Sequence, residues 1–276
     1  MSEATTAARP DAPDPRIMGW HHVRVVANQP IGPHLRRVTL TGPTLRAFPF
    51  AGADQRVKLF IPQPGQTRPR LDGVDTIPAY LALPDEVRPP MRTYTIRSHR
   101  PETAEVDIDF ALHGDDPAQL GPASAWALDA EPGDEASLYG PAASYRPPTD
   151  TRWQLVAGDE SALPAIAAIA EHLSEQAQGH LFIEVAEDAD QDDIAVPSGV
   201  RVHWFSRQGA PAQDSDLLAD AIAGLPLPET PIYVWLAGEA SIVRRLRRHL
   251  VDERGLDRSR ITFTGYWRHG RAEDDA

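Results

Sequence analysis

The sequence predicts an N-terminal antiparallel β-barrel followed by a C-terminal α/β domain with a parallel sheet. Three observations carry this. From Trp20 onward the chain runs as short β-branched segments bounded by Pro, Gly and Asn. From Trp153 onward strand-like and helix-like segments alternate, the pattern of a parallel sheet with crossover helices. The change falls at Pro147-Pro148-Thr149-Asp150. The 276 residues suit two domains, at roughly 100–200 residues each. The expected division is a tail over 1–17, an antiparallel barrel over 18–148, an α/β domain over 149–270 and a tail over 271–276.

The barrel strands are HHVRVVAN, LRRVTLTG, QRVKLFI, EVDIDFAL and EASLYG. In EVDIDFAL the apolar Val106, Ile108, Phe110 and Leu112 alternate with acids, so one face is buried and one is wet. Seven prolines make 62–90 a long loop before Arg92-Thr-Tyr-Thr-Ile-Arg97, and loops of that length in a compact domain are often functional. In the second half WQLVAG, LFIEVAE, VRVHWFS, IYVWLAG and ITFTGYW read as strands. Helices are expected over 164–176, at DLLADAIAGL, and through ASIVRRLRRHLVDERG to a stop at Gly255.

Composition removes several classes of function. Lys plus Arg number 27 against 40 Asp plus Glu, a net charge of −13. Such an anion does not favour nucleic acid or an anionic membrane. There are no cysteines, so no disulfide, thiolate metal site or cysteine nucleophile exists. No stretch approaches the ~20 apolar residues of a membrane span, and the start lacks the apolar core of a signal peptide; a cytoplasmic monomer is the expectation. The first 149 residues carry a net −3 and the rest −10, so cations remain for an anionic ligand in the first half. Of the basic side chains 26 are Arg and one is Lys, Lys58.

The motifs for mononucleotide P-loops, Rossmann glycines, zincins and serine hydrolases are absent. His21 and His22 are adjacent on a strand and point to opposite faces; no protein metal site is expected. Period two places Arg92 and Tyr94 on one face of their strand and Thr93, Thr95 and Arg97 on the other. Arg offers a planar fork to phosphate, Tyr a flat face to a ring, and Thr95 a hydroxyl to ring heteroatoms. The plain alternative is a strand with a surface Arg and a half-buried Tyr. His113 and Gly114 end a strand, and a helix beginning near Ala123 with Ser124 and Trp126 offers free N–H groups to phosphate; a simple capped helix is the commoner case. Two strand exits, Gly158-Asp159-Glu160 and Ala237-Gly238-Glu239, lie where open α/β sheets bind nucleotides. Arg207 stands where a 2′-phosphate partner would lie. Trp267 and Arg268 close the last strand.

The order RTYTIR, VDIDFALHG, GPASAWA, LYGP, VAGDESALPAI, YVWLAGE, RRLRRHL and GYWRHG resembles the siderophore-interacting protein family over about residues 18–270. These are FAD-dependent ferric-siderophore reductases of the ferredoxin–NADP reductase superfamily. The resemblance implies that Arg92, Thr93, Tyr94, Thr95, Arg97, Asp109, His113, Gly114, Ala123, Ser124 and Trp126 hold FAD. It implies a nicotinamide nucleotide, NADPH or NADH, at Gly158, Asp159, Glu160, Arg207, Ala237, Gly238 and Glu239, with Trp267 and Arg268 near the flavin. Ser161 stands where the family usually has Thr, and Ala143 where Gly is common.

The implied reaction passes electrons from NAD(P)H through FAD to siderophore-bound Fe(III). Lys58 and Arg146 are the candidate cations for an anionic ferric siderophore. A ferredoxin is an alternative donor. Two other readings compete: a general NAD(P)H- or ferredoxin-linked flavin reductase, and a non-enzymatic, colourless ferric-siderophore carrier.

Overall fold

The computed structural model describes residues 18–112 and 120–270. Seven strands, β1 (Gly19–Gly32), β2 (Leu35–Thr41), β3 (Arg56–Phe60), β4 (Met91–Thr95), β5 (Ser98–Arg100), β6 (Glu105–Ala111) and β7 (Glu135–Ala142), form one antiparallel sheet in the order β4-β3-β7-β1-β2-β6-β5. The two edge strands are consecutive in the chain, separated only by Ile96 and Arg97, so the sheet curls until its edges meet. Inward residues Val23, Val25, Val38, Leu40, Val57, Leu59, Val106, Ile108 and Phe110 fill the interior. Alternation decides which side chains enter: on β1 His21 is buried and bonds Thr44, while His22 points outward and bonds Ser137.

The proline-rich segment before β4 is ordered around a short helix, α1 (Ile77–Leu81), that the sequence does not announce. Thr76 caps it. Its Tyr80 is 1% exposed, packs edge-on to Phe60, and donates its hydroxyl to the Pro89 carbonyl. With Leu71 and Met91 it forms a small apolar cluster outside the barrel. Helix α2 (Pro122–Asp129) lies against β2 and β6.

The second half forms a five-stranded parallel sheet of β8 (Trp153–Gly158), β9 (Gly179–Val185), β10 (Val200–Ser206), β11 (Ile232–Glu239) and β12 (Ile261–Trp267), in the order β10-β9-β8-β11-β12. Helix α3 (Leu163–Glu171) covers one face, and α4 (Leu217–Ala223) with α5 (Ala240–Arg248) covers the other. All eight residues of β11 are buried, as expected of a central strand with helices on both sides. Helix α3 stops at Glu171, five residues short of the expected end, because His172 leaves helical geometry and turns its ring onto the Ala168 carbonyl. Helix α5 continues as a π-turn over His249–Glu253 and ends at Gly255, in the left-handed region at φ 71°.

The two sheets are joined by polar and apolar contacts. Arg97 pairs with Glu171 at 2.7 Å, His34 with Asp190 at 2.8 Å, and Phe50 stacks on His172. Among the described residues no helix is long and apolar enough to cross a membrane.

Candidate functional site

The site is built on β4, an edge strand of the barrel sheet. In the β3–β4 register Tyr94 lies opposite Val57 and Arg92 opposite Leu59, whereas Thr93 lies opposite Lys58 and Thr95 opposite Arg56. Arg92 and Tyr94 therefore share one face and Thr93 and Thr95 the other, as period two requires. The Tyr94 ring packs on Phe110 at 4.3 Å, and Phe110 faces Trp126 of α2 at 6.0 Å. An aromatic file thus runs from β4 to α2. Arg92 donates to the Met91 carbonyl at 2.7 Å.

Ala123 and Ser124 stand in the first turn of α2, which has Gly121 at its cap and no side-chain cap. The far end of α2 is fixed by Asn28, whose amide donates to the carbonyls of Ala127 and Ala130. His113 and Gly114 lie outside the described residues.

Two residues expected at the cofactor are engaged elsewhere. Arg97 reaches across to Glu171, because Ile96 turns into the core and the Arg97 amide bonds the Asp107 carbonyl. Asp109 is held by Arg37 through two bonds of 2.6 and 2.7 Å, and this pairing raises the Arg37 pKa. Both side chains line a small pocket of about 150 Å³ between the sheets, with Leu163, Glu171 and Asp190. A wider cleft, about 1170 Å³, lies instead on the outer side of β1 and β7, and none of the expected site residues lines it.

In the parallel sheet, strand order reverses between β8 and β11, and the crevice beyond their carboxyl ends is the nucleotide position of such folds. Gly158 ends β8 where a Cβ would lie 2.4 Å from the Ala237 carbonyl oxygen. Gly238 has φ 137°, and a Cβ there would lie 2.6 Å from the Asp159 carboxylate. Only glycine lets these two strand ends approach. Asp159 is 3% exposed and accepts bonds from the Ser161 amide and hydroxyl, the Glu239 amide and the Trp267 indole N–H. Glu239 caps α5 through the amides of Ser241 and Ile242.

These carboxylates shape the crevice rather than facing it with open acceptors. Glu160 takes both forks of Arg207 at 2.7 Å, and Glu184 takes one at 3.2 Å. The Arg207 side chain is 4% exposed and also donates to the Ala210 carbonyl. The expected 2′-phosphate contact gives way to an internal ion pair, since every edge of this guanidinium is directed inward. Burial raises the Glu184 pKa against the pull of Arg207.

Lys58 donates to Thr93 at 3.2 Å on the half-exposed side of β3. Arg146 lies exposed after β7, its amide bonded to the Tyr233 hydroxyl. Arg268 is exposed beyond β12. Sequence reasoning missed Trp235 and Asp54; it marked Tyr266, with Trp267, as an aromatic able to close over a cofactor, but not its neighbour Thr95. The Tyr266 hydroxyl lies beside that of Thr95, both buried, not aligned for a hydrogen bond and without another partner among the described residues. Burial, then the charge of Asp54, raises the Tyr266 pKa. No periodicity marks Asp54, and Trp235 reads as any apolar residue of a buried strand.

A barrel edge abutting the switch point of a parallel sheet defines the two-domain, ferredoxin-reductase-like fold class. A ferredoxin NADP+ reductase from Neisseria gonorrhoeae superposes with a TM-score of 0.63 at 13% identity, covering 90% of this chain and 99% of that one, a likeness of fold. Residues 24–145 match the siderophore-interacting FAD-binding domain, and residues 151–270 the siderophore-interacting protein family. The chain belongs to the siderophore-interacting protein family. It is 34% identical to ferric vibriobactin reductase ViuB of Vibrio cholerae over 94% of this chain and 92% of that protein. It is 30% identical to an NADPH-dependent ferric-chelate reductase of Escherichia coli, over 90% of this chain and 92% of that one. The siderophore-interacting protein SipS from Aeromonas hydrophila superposes with a TM-score of 0.76 at 38% identity, covering 94% and 95% of the two chains.

The residues present fit FAD. Trp126 Nε1, at the α2 end of the aromatic file, and Thr95 Oγ1, on the opposite face of β4, are buried polar atoms without a hydrogen bond of good geometry. Buried polar atoms are nearly always satisfied, so both await a partner, and the first turn of α2 leaves its amides for phosphate.

Proposed function

We propose that this chain is an FAD-dependent ferric-siderophore reductase, taking electrons from NAD(P)H and delivering them to Fe(III) held by a siderophore in the cytoplasm. One observation carries the reading. The last two residues of β12 join the two halves of the site: Tyr266 meets Thr95 of the barrel, and Trp267 bonds Asp159 of the crevice. A nicotinamide seated at the switch point therefore adjoins a ring seated at the Thr95 end of β4.

Bound flavin would accept a two-electron hydride and release electrons singly, which suits reduction of Fe(III). The protein supplies placement. Arg92 and the first turn of α2 carry phosphate charge, with the Thr95 hydroxyl offered to the ring. Gly158 and Gly238 admit the nicotinamide nucleotide between Asp159 and Trp267. Lys58 and Arg146 offer positive charge to an anionic ferric siderophore, whose hard oxygen donors loosen on Fe(II). No protein ligand to iron is required, and no cluster of three metal-binding side chains occurs among the described residues. A monomer suffices for this chemistry, and a ferredoxin is the alternative donor.

The test is the visible spectrum of the purified protein without oxygen. A yellow protein that bleaches with NADPH or NADH, then regains colour on adding a ferric siderophore as Fe(II) forms, supports the reading. Bleaching without recovery points to another acceptor, and bleaching only by reduced ferredoxin to the other donor. A protein that stays colourless after added FAD overturns the reading and favours the carrier.

A further inference from the structure

Asp54 has no solvent exposure, yet its carboxylate accepts from several donors at the junction between the sheets. The Ser144 amide donates to both its oxygens at 2.9 and 3.1 Å, the Ser144 hydroxyl at 2.6 Å, and the Tyr145 amide at 2.9 Å. From the other sheet the Trp235 indole N–H donates at 3.1 Å. Arg56 lies 4.0 Å away and bonds the same Ser144 hydroxyl. Every partner is a donor, a set that only a carboxylate accepts in full. An amide in its place would turn an NH₂ group toward at least one N–H.

The three segments so joined matter for the reaction. Asp54 lies two residues before Arg56, the register partner of Thr95. Ser144 and Tyr145 follow β7 and lead into the connection to β8. Trp235 lies at the middle of β11, fully buried, and pairs with Val156 of β8 two residues before the Ala237–Gly158 pair that closes the crevice. Its surroundings, Ala53, Tyr233, Val156 and Ala237, are apolar, so this bond is worth more than it would be in water.

We propose that Asp54 is a positioning residue whose buried carboxylate clamps the barrel exit at Ser144–Tyr145 to β11 at Trp235, and so fixes the nicotinamide crevice against the Thr95 end of the barrel. The proposal rests on the reductase reading for its consequence but not for its geometry. Hydride transfer is sensitive to placement, because misplacement of about 1 Å can cost on the order of 100-fold. Electron release to iron has no such demand for alignment of two domains. Loss of the clamp therefore acts on one half-reaction.

The test uses Asp54→Asn, which keeps volume, and Trp235→Phe, which removes the donor from the second sheet together with part of the buried ring. In the FAD-loaded protein at saturating NAD(P)H, Asp54→Asn bleaches the flavin at least about tenfold more slowly. Dithionite-reduced variant is reoxidised by ferric siderophore within about twofold of the wild-type rate. Trp235→Phe shows the same split more weakly. Independently of any cofactor, amide exchange at Ser144 and Tyr145 accelerates in the apoprotein of Asp54→Asn, while the β6 amides keep their protection. Unchanged exchange at 144–145 overturns the clamp, whatever the donor. Equal slowing of both half-reactions also overturns it, as a general loss of the flavin site. A wild-type protein that no nicotinamide bleaches refutes the donor in the proposed function, and the exchange measurement then decides the clamp alone.

Discussion

The indole N–H of Trp267 donates to the Asp159 carboxylate across 2.9 Å, tying the end of β12 to the end of β8. The same carboxylate oxygen accepts the Glu239 amide at 2.7 Å, so one side chain gathers three strand ends. Asp159 is thus a crevice organiser before it is a nucleotide ligand.

Trp267→Phe keeps an aromatic ring and removes one donor to a charged acceptor. A net loss of about 1.5–3 kcal/mol is expected for a bond to a charged acceptor, an effect on the order of tenfold or more. Urea titration of the apoprotein should show a loss of that order, and KM for NAD(P)H should rise by a similar factor. Asp159→Ala strands several buried donors, and each costs about 1–3 kcal/mol. Its midpoint should fall well below that of Trp267→Phe.

Thr95→Val removes a buried hydroxyl that has no aligned partner in the described structure. The two side chains have the same shape, and the lost group makes no folding bond. Apoprotein stability should therefore stay within about 1 kcal/mol of wild type or rise. FAD affinity, read by fluorescence on titrating the apoprotein, should weaken about fivefold, whereas Thr95→Ser should largely retain it. An apoprotein strongly destabilised by Thr95→Val would show that the hydroxyl serves the fold.

The fold was legible in the sequence where periodicity is strong. The alternation of EVDIDFAL gives β6, and the apolar run of IYVWLAG gives the fully buried β11. The faces of β4 were readable for the same reason. Helix α1 was hidden because five residues among prolines give no helical period, and it is Tyr80 packing on Phe60 that holds it. The fates of Arg97, Asp109 and Arg207 were hidden because an arginine fork suits a carboxylate as well as a phosphate. Only the tertiary placement of Glu171, Asp109's partner Arg37, and the Glu160–Glu184 pair decides between them. Asp54 was hidden for a similar reason, since its partners lie about 90 and 181 residues away.

Lys58 is the one lysine in a chain of net charge −13, and it stands beside Thr93 on the strand pair that carries Arg92, Tyr94 and Thr95. A half-exposed cation attracts an anion weakly and is screened by salt. Lys58→Ala should raise KM for a ferric catecholate about three- to tenfold, with kcat and FAD content unchanged. The increase should shrink as ionic strength rises. An unchanged KM at low salt would remove Lys58 from the substrate site.

Arg207 is the counter-charge of two buried carboxylates, and stability should show it. Arg207→Met leaves Glu160 and Glu184 without a cation, a loss of about 3–5 kcal/mol for breaking one side of a buried pair. Burial already raises the Glu184 pKa, and Arg207 opposes that rise. A carboxyl with a raised folded pKa contributes stability that is fully present in acid and lost as pH climbs through that value. Without the guanidinium the value climbs further, so the variant's deficit should be smaller at about pH 5 than at about pH 8. Thermal melts at the two pH values check this. Replacing both glutamates by Gln together with Arg207→Met should recover much of the loss, because no uncompensated charge then remains buried. In that triple variant the ratio of KM values for NADPH and NADH should stay at its wild-type value. A shift of tenfold or more toward NADH would instead make Arg207 a reader of the 2′-phosphate.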